Sequence, residues 1–179
     1  MPSNKGIRSK RSLLMNKLKA LFLLIALLQT ACSSAQKLDS ASKNQEGHYS
    51  INKGIDWKEE AGNFYVNITS GDKLVFELSN NLGGDPRNDT QIKSTLIFAV
   101  DANEDSFTYI DNFAVSCQAF FVRKCRCIDA GYNSINAGKI TGKRSKDGSW
   151  QVNVEVTALG NDSNQTYNFK YAGIVTKDQ

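Results

Sequence analysis

Three cysteines stand close together in the second half of the chain, Cys117, Cys125 and Cys127, while the one histidine, His48, lies far upstream. Cysteine and histidine are the ligands of structural zinc, which needs four of them in tetrahedral reach. Here the spacing argues for a disulfide instead, because Cys125-Arg126-Cys127 is not a zinc knuckle and His48 is remote. Nor is a C-x-C pair the C-x-x-C motif that thiol oxidoreductases place at a helix N-terminus. A bond from Cys117 to either Cys125 or Cys127 is the less strained pairing. It requires the chain to bend between Gln118 and Lys124, since an extended strand holds the sulfurs apart. Three is an odd number, so one thiol is left over, and Arg123, Lys124 and Arg126 beside it favour its thiolate form.

Asp101, Asn103 and Asp105 place oxygen donors at alternate positions, as the start of a calcium loop does. The pattern then breaks, with Ser106 where the glycine belongs and Asn112 where the bidentate glutamate belongs. Both flanks read as strand, so these residues are weak calcium candidates and read better as a solvated acidic hairpin tip. No cofactor is implied. Catalysis has little to work with: one imidazole, no nucleophile elbow, no phosphate-binding loop, no dinucleotide fingerprint. The paired carboxylates Asp101/Asp105 and Glu59/Glu60 sit in polar sequence, where an acid–base pair is hard to tune. They leave a small carboxylate hydrolase as the enzymatic alternative to a binding module.

The first 31 residues explain why a disulfide is expected. Lys5, Arg8, Lys10, Arg11, Lys17 and Lys19 form a basic region with no acid, followed by the apolar block 21–28. Eight helical residues span about 12 Å, well short of a ~30 Å hydrocarbon core, so the block reads as an export signal. Met15, directly before Asn16, offers a second start that gives a shorter leader. Leu28-Gln29-Thr30-Ala31-Cys32 resembles the lipobox of bacterial lipoproteins. That resemblance implies diacylglycerol on the Cys32 thiol, cleavage that makes Cys32 the first residue, and an outer-membrane lipoprotein held at the membrane by its N-terminal lipid. Cleavage after Ala35 is the alternative, and it releases a periplasmic or secreted protein.

Stripping residues 1–32 removes six basic side chains and no acidic ones. The chain then keeps 16 basic and 18 acidic residues, a net charge near −2 in place of the formal +4. The basic character therefore belongs to the leader, and nucleic acid is not an expected partner. Residues 32–47 are small and polar and read as a tether. Residues 48–179 make one domain.

Within that domain period-2 alternation dominates. Phe64, Val66 and Ile68 alternate with Tyr65 and Asn67. After Ser70-Gly71-Asp72, Leu74, Phe76 and Leu78 alternate with Val75 and Glu77, which predicts a hairpin of these two runs. Residues 94–100 are apolar on both faces and read as a central strand. The run 107–122 is too long for one straight strand, and a bulge or bend is expected near 116–118. Lys146-Asp147-Gly148-Ser149 is a hairpin turn. It leads into Trp150, Val152, Val154 and Val156 on one face, then Tyr167, Phe169, Tyr171 and Val175 after a second turn. Trp57, among charged residues, is a lone aromatic.

The expected fold is mainly β, an antiparallel meander of about eight strands forming a β-sandwich or a lipocalin-like barrel. The end of the chain, 138–175, resembles the ends of small exported lipoproteins of Gram-negative bacteria, and this carries no functional residues over. The expected function is a non-catalytic binding or accessory module of the cell envelope. Its partner is an envelope protein or a small-molecule ligand, carbohydrate or apolar. An inhibitor-type protein that docks through the polar loop 80–91 is a further alternative.

Overall fold

The computed structural model describes residues 44–85 and 90–178. The leader, Cys32 and residues 32–43 of the expected tether lie outside them. Nine strands dominate: β1 (Gln45–Glu60), β2 (Asn63–Ser70), β3 (Lys73–Asn81), β4 (Lys93–Asp101), β5 (Ser106–Ile110), β6 (Phe120–Lys124), β7 (Gly131–Arg144), β8 (Trp150–Leu159) and β9 (Thr166–Lys177). One helical turn, α1 (Phe113–Ser116), separates β5 from β6. The domain thus begins inside the segment read as tether, since Gln45, Glu46 and Gly47 already belong to β1.

The strands pair in the order β2-β1-β3-β4-β6-β7-β8-β9, with β5 attached to β7. β1 also meets β9 in a short parallel pair, His48↔Thr176 and Tyr49↔Lys177. That pair closes β1, β3, β4, β6, β7, β8 and β9 into a ring of seven strands. The ring is filled with side chains. Trp150, Val152, Val154 and Val156 point inward as the alternation predicts. Phe76 stacks on Phe98 at 5.0 Å and meets Trp150 edge-on at 5.5 Å, while Phe107 lies 5.3 Å from Trp150. Ring pairs at these separations add about 0.5–1.5 kcal/mol each beyond the area they bury.

A second layer covers part of the ring's outer face. β1 is too long for one pairing and bends between Ser50 and Lys53, with Asn52 in the left-handed region at φ 56°. Asparagine tolerates that conformation because its short polar side chain bonds locally. Before the bend β1 pairs with β3, and after it with β2. Ala61 and Gly62 (φ 51° and 81°) make the tight turn that the β1–β2 hairpin needs. The hairpin lays Ile55 and Val66 against Val75, Ile97, Ala99, Phe120 and Val122, so β3, β4 and β6 are buried on both faces. This accounts for the apolar character of both faces of β4.

One sequence expectation changes and another is narrowed. β2 and β3 do not pair with each other: the chain turns at Gly71, but both strands take β1 as partner. Gly71 N–H donates to Asn52 O (3.2 Å), and an added Cβ would come within 2.8 Å of the Lys53 carbonyl, so only glycine fits against the bend. Of the two forms expected for the break in the long run 107–122, the bend is the one present, made by α1, and there is no bulge within one strand. Its first half pairs with β7 and its second half with β4 and β7.

Candidate functional site

The cysteines are not joined as the sequence suggested. Cys125 and Cys127 are bonded to each other, with Cα atoms 5.3 Å apart, and Cys117 is the free thiol. The cause lies in the backbone. Cys117 ends α1 facing the core, only 2 % exposed, with Sγ 3.6 Å from Phe113 O. β6 then runs extended and carries residue 125 away to the end of the sheet. Burial pushes the Cys117 thiol up to about 12, so it is not the reactive thiolate the neighbouring cations implied. The calcium candidates Asp101, Asn103 and Asp105 are exposed around the β4–β5 turn, where Asp101 approaches Lys73 at 3.9 Å. Among the described residues, no three His, Cys, Asp or Glu side chains converge as metal ligands do. His48 lies on the β1–β3 pair, 3.5 Å from Glu77.

Sequence reasoning missed Asp129. It sits in the loop between β6 and β7 and is 1 % exposed. Its carboxylate accepts hydrogen bonds from Ser163 Oγ, from Tyr167 OH (2.5 Å), and from the backbone N–H of Asp162 (3.1 Å) and Ser163 (2.9 Å). The Ser163 and Tyr167 bonds, with the two backbone donors, hold its pKa down to about 2. At Gly160 an added Cβ would lie 2.5 Å from this carboxylate, so glycine there makes room for the charge. Asn133 completes the clamp: its Nδ2 donates to Asp129 O and Gly131 O, and its Oδ1 accepts from Asn161 N–H. Asn161 Nδ2 in turn donates to Tyr132 O at 2.7 Å. The loops 125–130 and 160–165 are thereby locked together. A carboxylate saturated by four donors stays ionised at neutral pH and positions the backbone rather than exchanging protons.

Beside this clamp opens a cleft of about 300 Å³ between the start of β2, the start of β7 and the β8–β9 turn. Phe64, Tyr65 and Tyr132 supply its aromatic wall, and Asn63, Asn161 and Asp162 supply polar edges. Tyr65 is 48 % exposed, with Lys58 Nζ 5.3 Å from its ring centre. Phe64 packs at 5.7 Å from Phe120 and 6.1 Å from Trp57. The lone Trp57 therefore braces the wall from behind. In the sequence the cleft shows only as the polar turn Asn161-Asp162-Ser163-Asn164.

A second groove, of about 330 Å³, lies at the end of β4 and β6 and is lined by Gln91, Lys93, Lys124, Cys125 and Arg126. Lys93 and Lys124 are direct cross-strand partners, an arrangement of like charges that costs stability. Glu46 Oε2 reaches Lys93 at 3.3 Å. On the inner face at the same end, Arg123 lies over the Tyr167 ring at 4.0 Å. There Asn80 Oδ1 and Arg123 Nε are buried without a hydrogen-bond partner among the described residues.

Comparison with protein-family models, curated proteins and solved structures finds no match to this chain.

Proposed function

We propose that this chain is an exported, lipid-anchored protein of the cell envelope that acts as a non-catalytic binding module, with the Tyr65–Tyr132 cleft as its ligand site and a carbohydrate as its ligand class. One observation carries the reading: a half-exposed aromatic ring beside amide and carboxylate groups, on a floor fixed by the Asp129 clamp. Sugars offer an apolar C–H face and a rim of hydroxyls. An aromatic wall meets the first, and Asn63, Asn161 and Asp162 meet the second. The rigidity of the two loops reduces the ordering cost of binding. The apolar-ligand version draws no support from the strand face of Trp150, Val152, Val154 and Val156, because that face is packed core. The lipobox-like leader supports anchoring at Cys32, and a chain anchored there has envelope glycans within reach of the cleft.

The test is titration of the purified chain against a panel of neutral and acidic oligosaccharides, including soluble peptidoglycan fragments, read by calorimetry. A ligand that binds the native protein and is lost in Tyr65→Ala, with unchanged circular dichroism, supports the proposal. Binding that survives both Tyr65→Ala and Asn161→Ala overturns the cleft as the site.

A further inference from the structure

The end of the sheet from which the chain leads back toward Cys32 has features of its own. β1 begins at Gln45, opposite Asn80, so the polypeptide enters the domain where β3 and β6 finish and β4 begins. Twelve residues, 33–44, separate Cys32 from that point, a span of at most about 43 Å. An acyl chain on Cys32 therefore keeps this end close to the bilayer, and to this extent the inference rests on the anchoring proposed above. Two large apolar side chains are exposed there, Leu82 at 61 % and Ile128 at 65 %. Leu82 N–H is bonded to Ile92 O (2.9 Å), next to Gln91 and Lys93, while Ile128 follows the Cys125–Cys127 bridge, next to Arg126. Leu82 is thus joined by its bond to Ile92 to the strand that carries Lys93, and Ile128 lies two residues beyond Arg126. The other exposed large apolar side chains among the described residues are on other elements: Ile51 on β1, Tyr65 and Ile68 on β2, Ile110 on β5, Val115 in α1 and Ile174 on β9.

We propose that this end of the domain docks on the anionic headgroup surface of the bilayer, with Leu82 and Ile128 entering the headgroup–acyl boundary and Lys93, Lys124 and Arg126 facing lipid phosphates. Apolar residues rimmed by cations are the chemistry that membrane interfaces select. The direct opposition of Lys93 and Lys124 is unfavourable in isolation and is relieved by an anionic surface. The acidic residues near this end are Glu46, bonded to Lys93, Asp85 in the loop of Leu82, Asp129 held in its clamp after Ile128, and Asp162 on the β8–β9 turn, and they limit its net charge. A docked domain holds a fixed orientation at the membrane and presents the adjoining Tyr65 cleft at headgroup height.

The experiment is sedimentation of the mature chain 32–179 carrying Cys32→Ser, which has neither leader nor acyl group, with phosphatidylcholine vesicles and with vesicles of phosphatidylcholine and phosphatidylglycerol. Binding is expected only to the anionic vesicles and falls with added salt. Lys124→Ala with Arg126→Ala lowers the partition coefficient about thirtyfold. Leu82→Ser with Ile128→Ser lowers it about tenfold. Lys143→Ala with Lys146→Ala, at the opposite end of β7, leaves it unchanged. Equal binding to neutral vesicles, no binding at all, or an unaltered partition in the Lys124/Arg126 variant overturns the proposal and leaves the face to a protein partner. The state of the anchor is read separately by intact mass of the native protein, so an unacylated Cys32 refutes the anchoring while the vesicle result still decides the docking face.

Discussion

Gly142 gives the sharpest test of how the ring is filled. It lies on β7 opposite Phe107 of β5, and a Cβ added there would stand 2.2 Å from Phe107 Cζ and 2.4 Å from Cε1. Carbon atoms in contact prefer about 3.5–4.0 Å, so the ring has to retreat by more than about 1 Å. It has nowhere to go, with its centroid 5.6 Å from Phe76, 5.7 Å from Phe98, 5.3 Å from Trp150 and 5.6 Å from Tyr109. Gly142→Ala is therefore expected to cost about 1–3 kcal/mol, the range for overpacking. Phe107→Ala alone costs about 3–5 kcal/mol through its lost contacts and the cavity it leaves. The double variant should cost less than the sum, by about the overpacking term, because the added methyl then occupies emptied space. Urea unfolding of the four proteins measures the coupling, with the slope m held constant as the sign that only native stability has changed. A Gly142→Ala protein within about 0.5 kcal/mol of the native one, or strict additivity in the double variant, refutes the placement of β5 on β7.

Further outcomes concern the groups that hold the loops. The hydrogen bonds from Ser163 and Tyr167 hold the Asp129 carboxyl down to about 2, below the usual carboxylate range, so its stabilisation is present above about pH 4 and is lost as pH falls toward 2. Asp147, also lowered by its bonds to Ser149, acts in the same direction. Asp129→Asn should flatten the acid limb of a stability–pH curve measured by urea unfolding, whereas an unchanged limb shows that the clamp is absent. Thiol counting on the denatured chain without reductant, in the Cys32→Ser background, should find one free thiol, and reduction should raise the count to three. Cys117 should resist thiol reagents in the folded protein at neutral pH, being buried with its pKa pushed up to about 12. Loss of the Cys125–Cys127 bridge in Cys125→Ser/Cys127→Ser should cost no more than about 1.6 kcal/mol, since the loop it closes is only three residues long and removes little chain entropy.

What could be read from the sequence was local. The Asp147-Gly148 turn and the strict alternation of β8 announce themselves, because a tight hairpin fixes register and one face is wholly buried. β4 is legible for a different reason, its unbroken run of apolar residues needing cover on both sides. The choice of partners was not legible. β1 serves two neighbours by bending at Asn52, and the polar stretch around that residue has no hydrophobic period to reveal it. Ring closure rests on two parallel residue pairs between strands at opposite ends of the chain. The cysteine pairing was misread because α1 turns Cys117 into the core, and no spacing encodes that turn. Asp129 is one acid in a polar loop, distinguished only by donors that arrive from residues 162–167.

The proposed carbohydrate site and the proposed membrane-facing end both draw on where the chain is held. Intact mass of the protein extracted from the membrane fraction, compared with its Cys32→Ala variant, measures this directly. The expected result is a chain that begins at Cys32 and carries acyl groups, and a variant that leaves the membrane fraction. A native chain that begins at Gln36, or one that retains its leader without added lipid, contradicts the account.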